Sequence, residues 1–230
     1  MDEYSREYQR ARTAGAFVDL KNPIRSVIPS SHGVVLEVLA STYVPLSGRK
    51  VAALSNGRLS QKGTSLALRH LAEHGIVLVE DHPPSKLYTL NEQHLATSSI
   101  RALAGMRSQL IAQLKDRLRR WEYPPSGAWL FGSVARGDGG AASDIDLFVI
   151  RPDTAAGGDQ WDSQVDELTE AVRSWTGNPC SIVDLSEAEF ARLDATGERL
   201  VDEVRRDGIH LIGEFDLGVH RRQPRHEPAR

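Results

Sequence analysis

Cysteine is almost absent from this sequence of 230 residues, in which Cys180 is the single example. One thiol excludes an internal disulfide and any zinc cluster built from several cysteines, and it is typical of a reducing compartment. Long apolar runs are missing too, since no stretch approaches the roughly 20 apolar residues of a transmembrane helix. The first residues are charged and lack the apolar core of a signal peptide. We therefore expect a soluble, cytoplasmic protein without a membrane partner.

Signatures of several common enzyme classes are also missing. The sequence contains no Walker motif, no glycine-rich dinucleotide fingerprint, and no Ser-His-Asp or Cys-His pattern. It therefore gives no indication of a P-loop NTPase, a Rossmann-type dehydrogenase or a triad hydrolase.

Charge is distributed unevenly along the chain. Residues 1–125 hold 17 Lys and Arg against 11 Asp and Glu, whereas residues 126–230 hold 11 against 20. A basic region favours phosphate backbones, while an acidic region repels them unless divalent cations lie between. The two regions therefore differ in the partners they favour, and the chain length suits two small domains.

Hydrophobic spacing predicts three helices and a hairpin in the first hundred residues. A helix is expected to begin at Ser30-Ser31, a second near Ser47, and a third to run from a cap at Ser60 to His74. Two short strands at 76–80 and 86–90 should then form a hairpin around a Pro-containing turn. This order is the plan of a winged helix-turn-helix.

Residues 59–77 carry the closest match to that plan, and they resemble the third helix of bacterial winged-helix transcription regulators. The resemblance implies that this helix enters the major groove of double-stranded DNA. Lys62, Ser65 and Arg69 would then face the DNA from one side of the helix. The alternative is that the module packs against another domain or a partner protein and contacts no DNA.

The longest helical pattern covers residues 98–122 and ends before Pro124 and Pro125. Its basic face fits either a solvated connecting helix or a nucleic-acid contact. The sequence thus predicts an arm at 1–22, a winged helix-turn-helix domain at 23–97, a linking helix at 98–124, a second domain at 125–214, and a disordered basic tail at 215–230.

The clearest chemical pattern follows the predicted strand 128–131. That strand runs into Gly132-Ser133, and ten residues separate the serine from Asp144-Ile145-Asp146. Glycine lets the backbone approach a phosphate, serine offers a hydroxyl and an amide, and a following helix start presents unpaired N–H groups. The segment is predicted to bind phosphate.

Asp144 and Asp146 should share one face of a strand, because strand side chains alternate. Two neighbouring carboxylates repel each other unless they share a cation such as Mg²⁺, which prefers oxygen ligands and also bridges phosphates. Phosphoryl and nucleotidyl transfer require such a cation.

Residues 131–137 and 143–147 together resemble the polymerase-β-like nucleotidyltransferase superfamily, especially its minimal members. This resemblance implies an α/β nucleotidyltransferase domain with a mixed sheet and a Mg²⁺ or Mn²⁺ cofactor, and together with the winged-helix resemblance it gives an α+β chain in which a winged helix-turn-helix comes first. It also implies a third carboxylate on a later strand, for which Asp184 is the candidate as metal ligand or general base. Capping of the next helix is the alternative role for Asp184. Arg136 would contact the triphosphate or pair with a local acid.

The leading hypothesis is an enzyme that moves a nucleoside monophosphate from an NTP, with ATP first among them, to a hydroxyl. The resemblance implies a protein or RNA acceptor, as in toxin–antitoxin systems, or a small molecule. The alternative is a DNA-binding regulator whose second domain senses a nucleotide or a partner.

Overall fold

The computed structural model describes residues 17–153 and 158–218. The predictions for residues 1–16 of the arm and 219–230 of the basic tail lie outside these ranges. Within them, no helix combines the length and the apolar character needed to cross a membrane.

The N-terminal half (residues 23–104) contains helices around a small antiparallel sheet. In chain order the elements are α1 (Pro23–Val27), α2 (Ser31–Ala40), β1 (Leu46–Ser47), α3 (Gly48–Leu54), α4 (Gln61–Glu73), β2 (Val77–His82), β3 (Ser85–Leu90) and α5 (Thr97–Ala104). The strand order is β1-β3-β2, and both pairs are antiparallel. Val35, Leu39, Leu68 and Ile100 belong to its buried core.

Local capping explains where these helices begin. The Ser47 side chain accepts a hydrogen bond from Lys50 N, and the Ser60 side chain accepts one from Gly63 N. Each bond satisfies an amide that has no partner within its helix. The three predicted helices and the hairpin are therefore present, with bounds within a few residues of those expected.

The C-terminal half (residues 106–218) is built on a four-stranded mixed sheet. In chain order the elements are α6 (Met106–Arg119), β4 (Gly127–Phe131), α7 (Gly132–Arg136), β5 (Ile145–Arg151), α8 (Asp159–Thr176), β6 (Cys180–Ser186), α9 (Glu187–Thr196), α10 (Arg199–Asp207) and β7 (Ile209–Gly213). The strand order is β6-β5-β4-β7, in which β5 and β6 are parallel and the other pairs antiparallel. The predicted α+β class with a mixed sheet is confirmed.

The two faces of this sheet pack in different cores. Leu147 and Val149 of β5 lie with the buried residues of α6 and α8. Phe148 and Ile150 lie in the core formed with α9 and α10. Side chains that are neighbours in sequence thus point to opposite sides, as strand geometry requires.

Glycine separates consecutive helices at two places in the chain. The predicted helix at 98–122 divides into α5 and α6 at Gly105, and in the C-terminal half α9 and α10 are likewise separated at Gly197. Glycine is a poor helix former, and Gly197 adopts a left-handed conformation (φ +69°) that ends α9. The apolar stripe at 98–122 continues past Gly105, which is why spacing alone predicted a single helix there.

A short segment before α1 contacts both halves. Leu20 is buried in the core of the C-terminal half. Val18 N donates to Thr176 O (3.0 Å), and Lys21 N donates to Gly139 O (3.1 Å). The Asn22 side chain accepts from Arg58, which also forms an ion pair with Glu37 of α2 at 3.0 Å. Residues 18–22 therefore connect the N-terminal half to the loop after α7.

Candidate active site

The turn between β4 and α7 places backbone directly against a carboxylate. Phe131 is paired with Asp146 across the sheet, so Gly132 follows immediately beside that acid. Gly132 has a φ of +71°, and a Cβ atom at this position would overlap Asp146 Oδ2. Glycine is therefore required twice here, by the backbone conformation and by the close approach.

Ser133 is enclosed by the loop that follows α7. Its carbonyl accepts hydrogen bonds from Asp138 N (3.1 Å) and Gly139 N (3.0 Å). A Cβ atom on Gly139 would lie 3.1 Å from Ser133 Oγ, so the loop passes close to the hydroxyl. The structure thus brings Gly132, Ser133 and Asp146 together at one end of the sheet.

Asp144 and Asp146 flank the buried Ile145 at the start of β5. Asp144 is exposed and Asp146 is half-buried. Burial raises the pKa of Asp146, and the charge of Asp144 raises it further, while Arg136 lowers it. The pair is thus a repulsive arrangement in the absence of a cation, as the sequence pattern predicted.

A buried asparagine fixes the segment that leads to these acids. Asn178 Nδ2 donates to Ala141 O (3.2 Å) and to Ser143 O (3.0 Å), and only 1% of Asn178 is exposed. Sequence reasoning missed this residue, because nothing local distinguishes it from a loop asparagine. It positions Asp144 from a distance of more than thirty residues along the chain.

Cys180 lies behind the acids, in register with Ile145. Burial raises the pKa of its thiol to about 12, with further contributions from Asp146 and Asp144. The thiol is therefore protonated at neutral pH and acts as a small packing residue.

The structure does not bring Asp184 to Asp144 and Asp146. In the parallel pairing of β5 and β6, Asp184 is opposite Val149, whereas Asp146 is opposite Ser181. Val149 belongs to the core on the α6 and α8 face, and Asp184 accepts a 2.8 Å hydrogen bond from Trp161 Nε1 of α8. Asp184 therefore points to the other side of the sheet, away from the face of Asp146.

Asp184 has partners that explain its presence there. Arg151 Nη1 lies 3.5 Å from Asp184 Oδ2, and burial raises the pKa of the Asp184 carboxyl against the lowering effects of Trp161 and Arg151. The capping role considered for Asp184 does not apply either, because Ser186 and Glu189 form the capping box of α9.

Ser181 occupies the β6 position beside Asp146 on the shared face, and it is exposed. The position from which β6 could add a third acid therefore carries a hydroxyl. Sequence reasoning missed Ser181, because the register between two strands is not visible in the spacing of either one.

Two arginines support α7 from different sides. Arg136 lies 3.4 Å from Asp138 and 3.8 Å from Asp207, so it is paired with local acids. Arg107 of α6 donates to Val134 O (2.7 Å) and to Ala135 O. Arg107 thus binds the carbonyls at the end of α7, a role that sequence reasoning did not assign.

The predicted DNA-contacting residues lie elsewhere in the molecule. Lys62, Ser65 and Arg69 are all exposed on α4, and Arg69 is within 3.9 Å of Glu73 one turn later. Leu66 is exposed between them, with 58% of its surface accessible.

The acids fit one hard cation shared with a substrate. Across residues 17–153 and 158–218, no group of three or more His, Cys, Asp or Glu side chains is arranged to hold a metal ion. Asp144 and Asp146 offer only oxygen donors, which suit Mg²⁺ or Mn²⁺, and these ions commonly bind one or two carboxylates together with phosphates. The residues present thus fit a cation completed by substrate, and they do not form a closed protein cage.

Solved structures that resemble the chain include three with nucleotidyltransferase or toxin–antitoxin names. A mutant toxin–antitoxin complex named MntA–HpeT is 23% identical, covering 45% of this chain and 73% of that chain, with a TM-score of 0.34. A toxin–antitoxin structure with AMP-PNP is 25% identical over 46% and 73% of the two chains, with a TM-score of 0.32. A candidate nucleotidyltransferase from Sulfolobus solfataricus is 19% identical over 45% and 80%, with a TM-score of 0.27.

No curated protein matches the chain at a significant level. A family model described as the nucleotidyltransferase domain matches residues 111–196, from within α6 to the end of α9. This segment includes the Gly132-Ser133 turn and both acids of β5. Residues 111–196 are therefore a nucleotidyltransferase domain, and the enzyme class of the chain is that of the nucleotidyltransferases.

Proposed function

We propose that this domain transfers a nucleoside monophosphate from an NTP, with ATP as the first candidate, to the hydroxyl of an acceptor. The observation that carries the proposal is the contact between the Gly132 backbone and the Asp146 carboxylate. A triphosphate bound at the Gly132-Ser133 turn would have its oxygens next to both acids. The phosphates and the cation would then bind next to each other at this end of the sheet.

In the proposed reaction the acceptor oxygen attacks the α-phosphorus of the NTP. The bond from that phosphorus to the oxygen bridging to the β-phosphate breaks, and pyrophosphate leaves. A Mg²⁺ ion held by Asp144 and Asp146 would supply neutralisation of the charge on the phosphates. Ser133 would orient the phosphates through its amide and hydroxyl, and the proton of the acceptor hydroxyl would pass to solvent water.

Arg136 completes the proposed nucleotide site from the end of α7. Its guanidinium is already close to Asp138 and Asp207, and it lowers the pKa of Asp146 through its charge. We assign it the role of offsetting negative charge at the loop, with contact to the triphosphate when nucleotide is bound. Asp184 has no part in this site and supports the opposite face of the sheet.

Transfer of radiolabel tests the proposal directly. Purified protein is incubated with each α-³²P-labelled NTP and Mg²⁺, alone and with cell extract, beside the Asp144→Ala/Asp146→Ala variant. Asp162→Asn, an exposed acid on α8, is the matched control. We expect label on a protein or RNA band with the wild type and the control, and loss of about 100-fold or more in the double variant, equivalent to about 3 kcal/mol of transition-state stabilisation.

The alternative is a regulator that binds nucleotide without transferring it. The placement of Asp184 on the far face favours this alternative, because it leaves the site with two acids. Nucleotide binding without label transfer under any of these conditions would support the regulator and contradict the enzyme proposal.

We also propose that the N-terminal half is a winged helix-turn-helix that binds double-stranded DNA through Lys62, Ser65 and Arg69. The order of α2, α3, α4 and the β2-β3 hairpin supports it, as does the exposure of all three side chains. Arg69 has an exposed partner at 3.9 Å, a weak ion pair that phosphate can replace.

A gel shift against the DNA upstream of the protein's own gene tests this second proposal. Replacing Lys62 and Arg69 by Ala should weaken binding and reduce its dependence on salt. A variant that makes fewer phosphate contacts displaces fewer counterions from the DNA when it binds. Lys86→Ala, on β3, is the control. Binding that is absent at low salt, or equal in the Lys62/Arg69 variant, would favour packing against a protein partner.

A further inference from the structure

We propose that the imidazoles of His70 and His74 chelate a divalent transition-metal ion such as Zn²⁺ or Ni²⁺ on the surface of the N-terminal half, and that His32 joins them only after its side chain rotates. This site is separate from Asp144 and Asp146 and does not depend on the proposed transfer reaction.

His70 and His74 are one turn apart on α4, and their donor atoms converge. Their Nε2 atoms lie 3.3 Å apart, and their ring centroids are separated by 4.6 Å at an angle of 69°. Two nitrogens bound to one tetrahedral Zn²⁺ at about 2.0–2.1 Å lie about 3.3–3.4 Å apart. The spacing of the two imidazoles therefore matches that of a chelate.

A hydrogen bond between the two rings is the competing explanation for this spacing. Both residues are exposed, so water competes for each nitrogen, and a hydrogen bond there contributes little net stability. A metal ion binds the two neutral imidazoles and replaces the proton that they would share. A metal ion bound to both nitrogens would therefore hold the two rings at this spacing more strongly than a single hydrogen bond does.

His32 of α2 adds an independent observation. Its ring packs edge-on against His70, with centroids 4.9 Å apart at an angle of 64°. Its Nε2 atom is buried and has no hydrogen-bond partner within the part of the chain that the structure describes. A buried, unpartnered ring nitrogen is costly, and a metal ion at the His70-His74 pair would satisfy it after a rotation of the His32 side chain.

The donor set determines the class of metal. Imidazole nitrogens suit Zn²⁺, Ni²⁺ and Cu²⁺, whereas Mg²⁺ prefers oxygen. The two cation sites of the chain are therefore chemically distinct, and excess Mg²⁺ should not displace the ion from the histidines. Because His32 is on α2 and the other two are on α4, the ion would link two helices of the N-terminal core.

The test is a calorimetric titration of the full chain with Zn²⁺ and with Ni²⁺ in excess Mg²⁺, in the Asp144→Ala/Asp146→Ala background to remove the acids. We expect His70→Ala and His74→Ala each to lose one equivalent of binding or to weaken it at least tenfold, and His32→Ala to weaken it by a smaller factor. His82→Ala, an exposed histidine of β2, should bind as the parent does.

Three results would overturn the proposal or part of it. If the parent takes up neither ion, or if His70→Ala and His74→Ala bind as the parent does, there is no site at α4. If His32→Ala alone binds as the parent does, His32 is not a ligand. Circular dichroism of each variant without metal checks that the helices are intact, so that lost binding is assigned to the missing ligand.

Discussion

Asp146 and Ser181 are neighbours on parallel strands, with their side chains on the same face of the sheet. The position that could hold a third carboxylate beside Asp146 is therefore filled by a hydroxyl. A site with two acids can share a cation with substrate phosphates, but it offers fewer protein ligands and less negative charge than a site with three.

Replacing Ser181 by Asp should therefore strengthen cation binding at the site. We expect the affinity for Mn²⁺, measured by electron paramagnetic resonance, to rise by about tenfold, since an added carboxylate ligand contributes on the order of 1.4 kcal/mol. Under the proposed function the rate of label transfer should rise as well. Ser181→Asn, similar in size but uncharged, is the control, and equal Mn²⁺ affinity in the two variants would show that residue 181 does not face the cation.

Replacing Gly132 by Ala should damage both the fold and the site. The added methyl would overlap Asp146 Oδ2, and alanine at φ +71° is strained, so we expect the free energy of unfolding to fall by about 1–3 kcal/mol. Urea denaturation measures this change, and NTP binding should be lost together with it. Gly140→Ala, in the loop that follows α7, is the matched control, because a Cβ atom there meets nothing within 4 Å. Equal stability of the two variants would contradict the close approach at Gly132.

Replacing Asp146 by Asn should alter the dependence of stability on pH. Burial and Asp144 raise the pKa of Asp146 in the folded chain, so between the unfolded and the folded pKa the folded state binds more protons. The stability of the wild type therefore falls as pH rises through this window. Asp146→Asn removes this loss, so we expect the variant to be more stable than the wild type at neutral pH in the absence of metal.

The difference should disappear below the unfolded pKa of about 4, where the wild-type carboxyl is also protonated. Thermal unfolding across a pH series with chelator measures it. An Asn variant less stable than the wild type at neutral pH would contradict the raised pKa.

Replacing Asn178 by Ala should destabilise the chain and displace Asp144. The change leaves Ala141 O and Ser143 O without the side-chain donor they share, and it removes the Oδ1 atom that accepts from Val18 N. We expect a loss of about 2–3 kcal/mol in the free energy of unfolding, since buried polar groups left unpaired cost about 1–3 kcal/mol each. Chemical denaturation measures the loss. A change below about 0.5 kcal/mol would mean that water replaces the amide at no cost.

Features that depend on a few neighbouring residues were predictable from the sequence. Ser47 and Ser60 cap their helices as expected, and Gly132 adopts the conformation that a tight turn before a phosphate-binding serine requires. The alternation of Asp144, Ile145 and Asp146 is equally local, because it concerns adjacent positions of one strand.

Features that depend on the register between strands were not predictable. The sequence favours Asp184 because it lies on a later strand, but an odd offset of three residues separates it from Ser181, so the two point to opposite faces. The register between β5 and β6 decides which β6 residue lies beside Asp146, and the residue spacing within either strand does not reveal that register. The packing of Leu20 against the C-terminal half is similar, because the local sequence does not indicate which half of the chain this residue packs against.

The backbone bond from Lys21 to Gly139 has a practical consequence for anyone who divides the chain by sequence. A fragment that starts at residue 23, where the first predicted domain begins, or at 125, where the second does, loses this bond and the one from Val18 to Thr176. Either fragment would also lose Leu20 from the core of the C-terminal half. In an isolated C-terminal fragment the loop after α7 would lack the hydrogen bond from Lys21. The activity of such a fragment would therefore underestimate that of the intact chain.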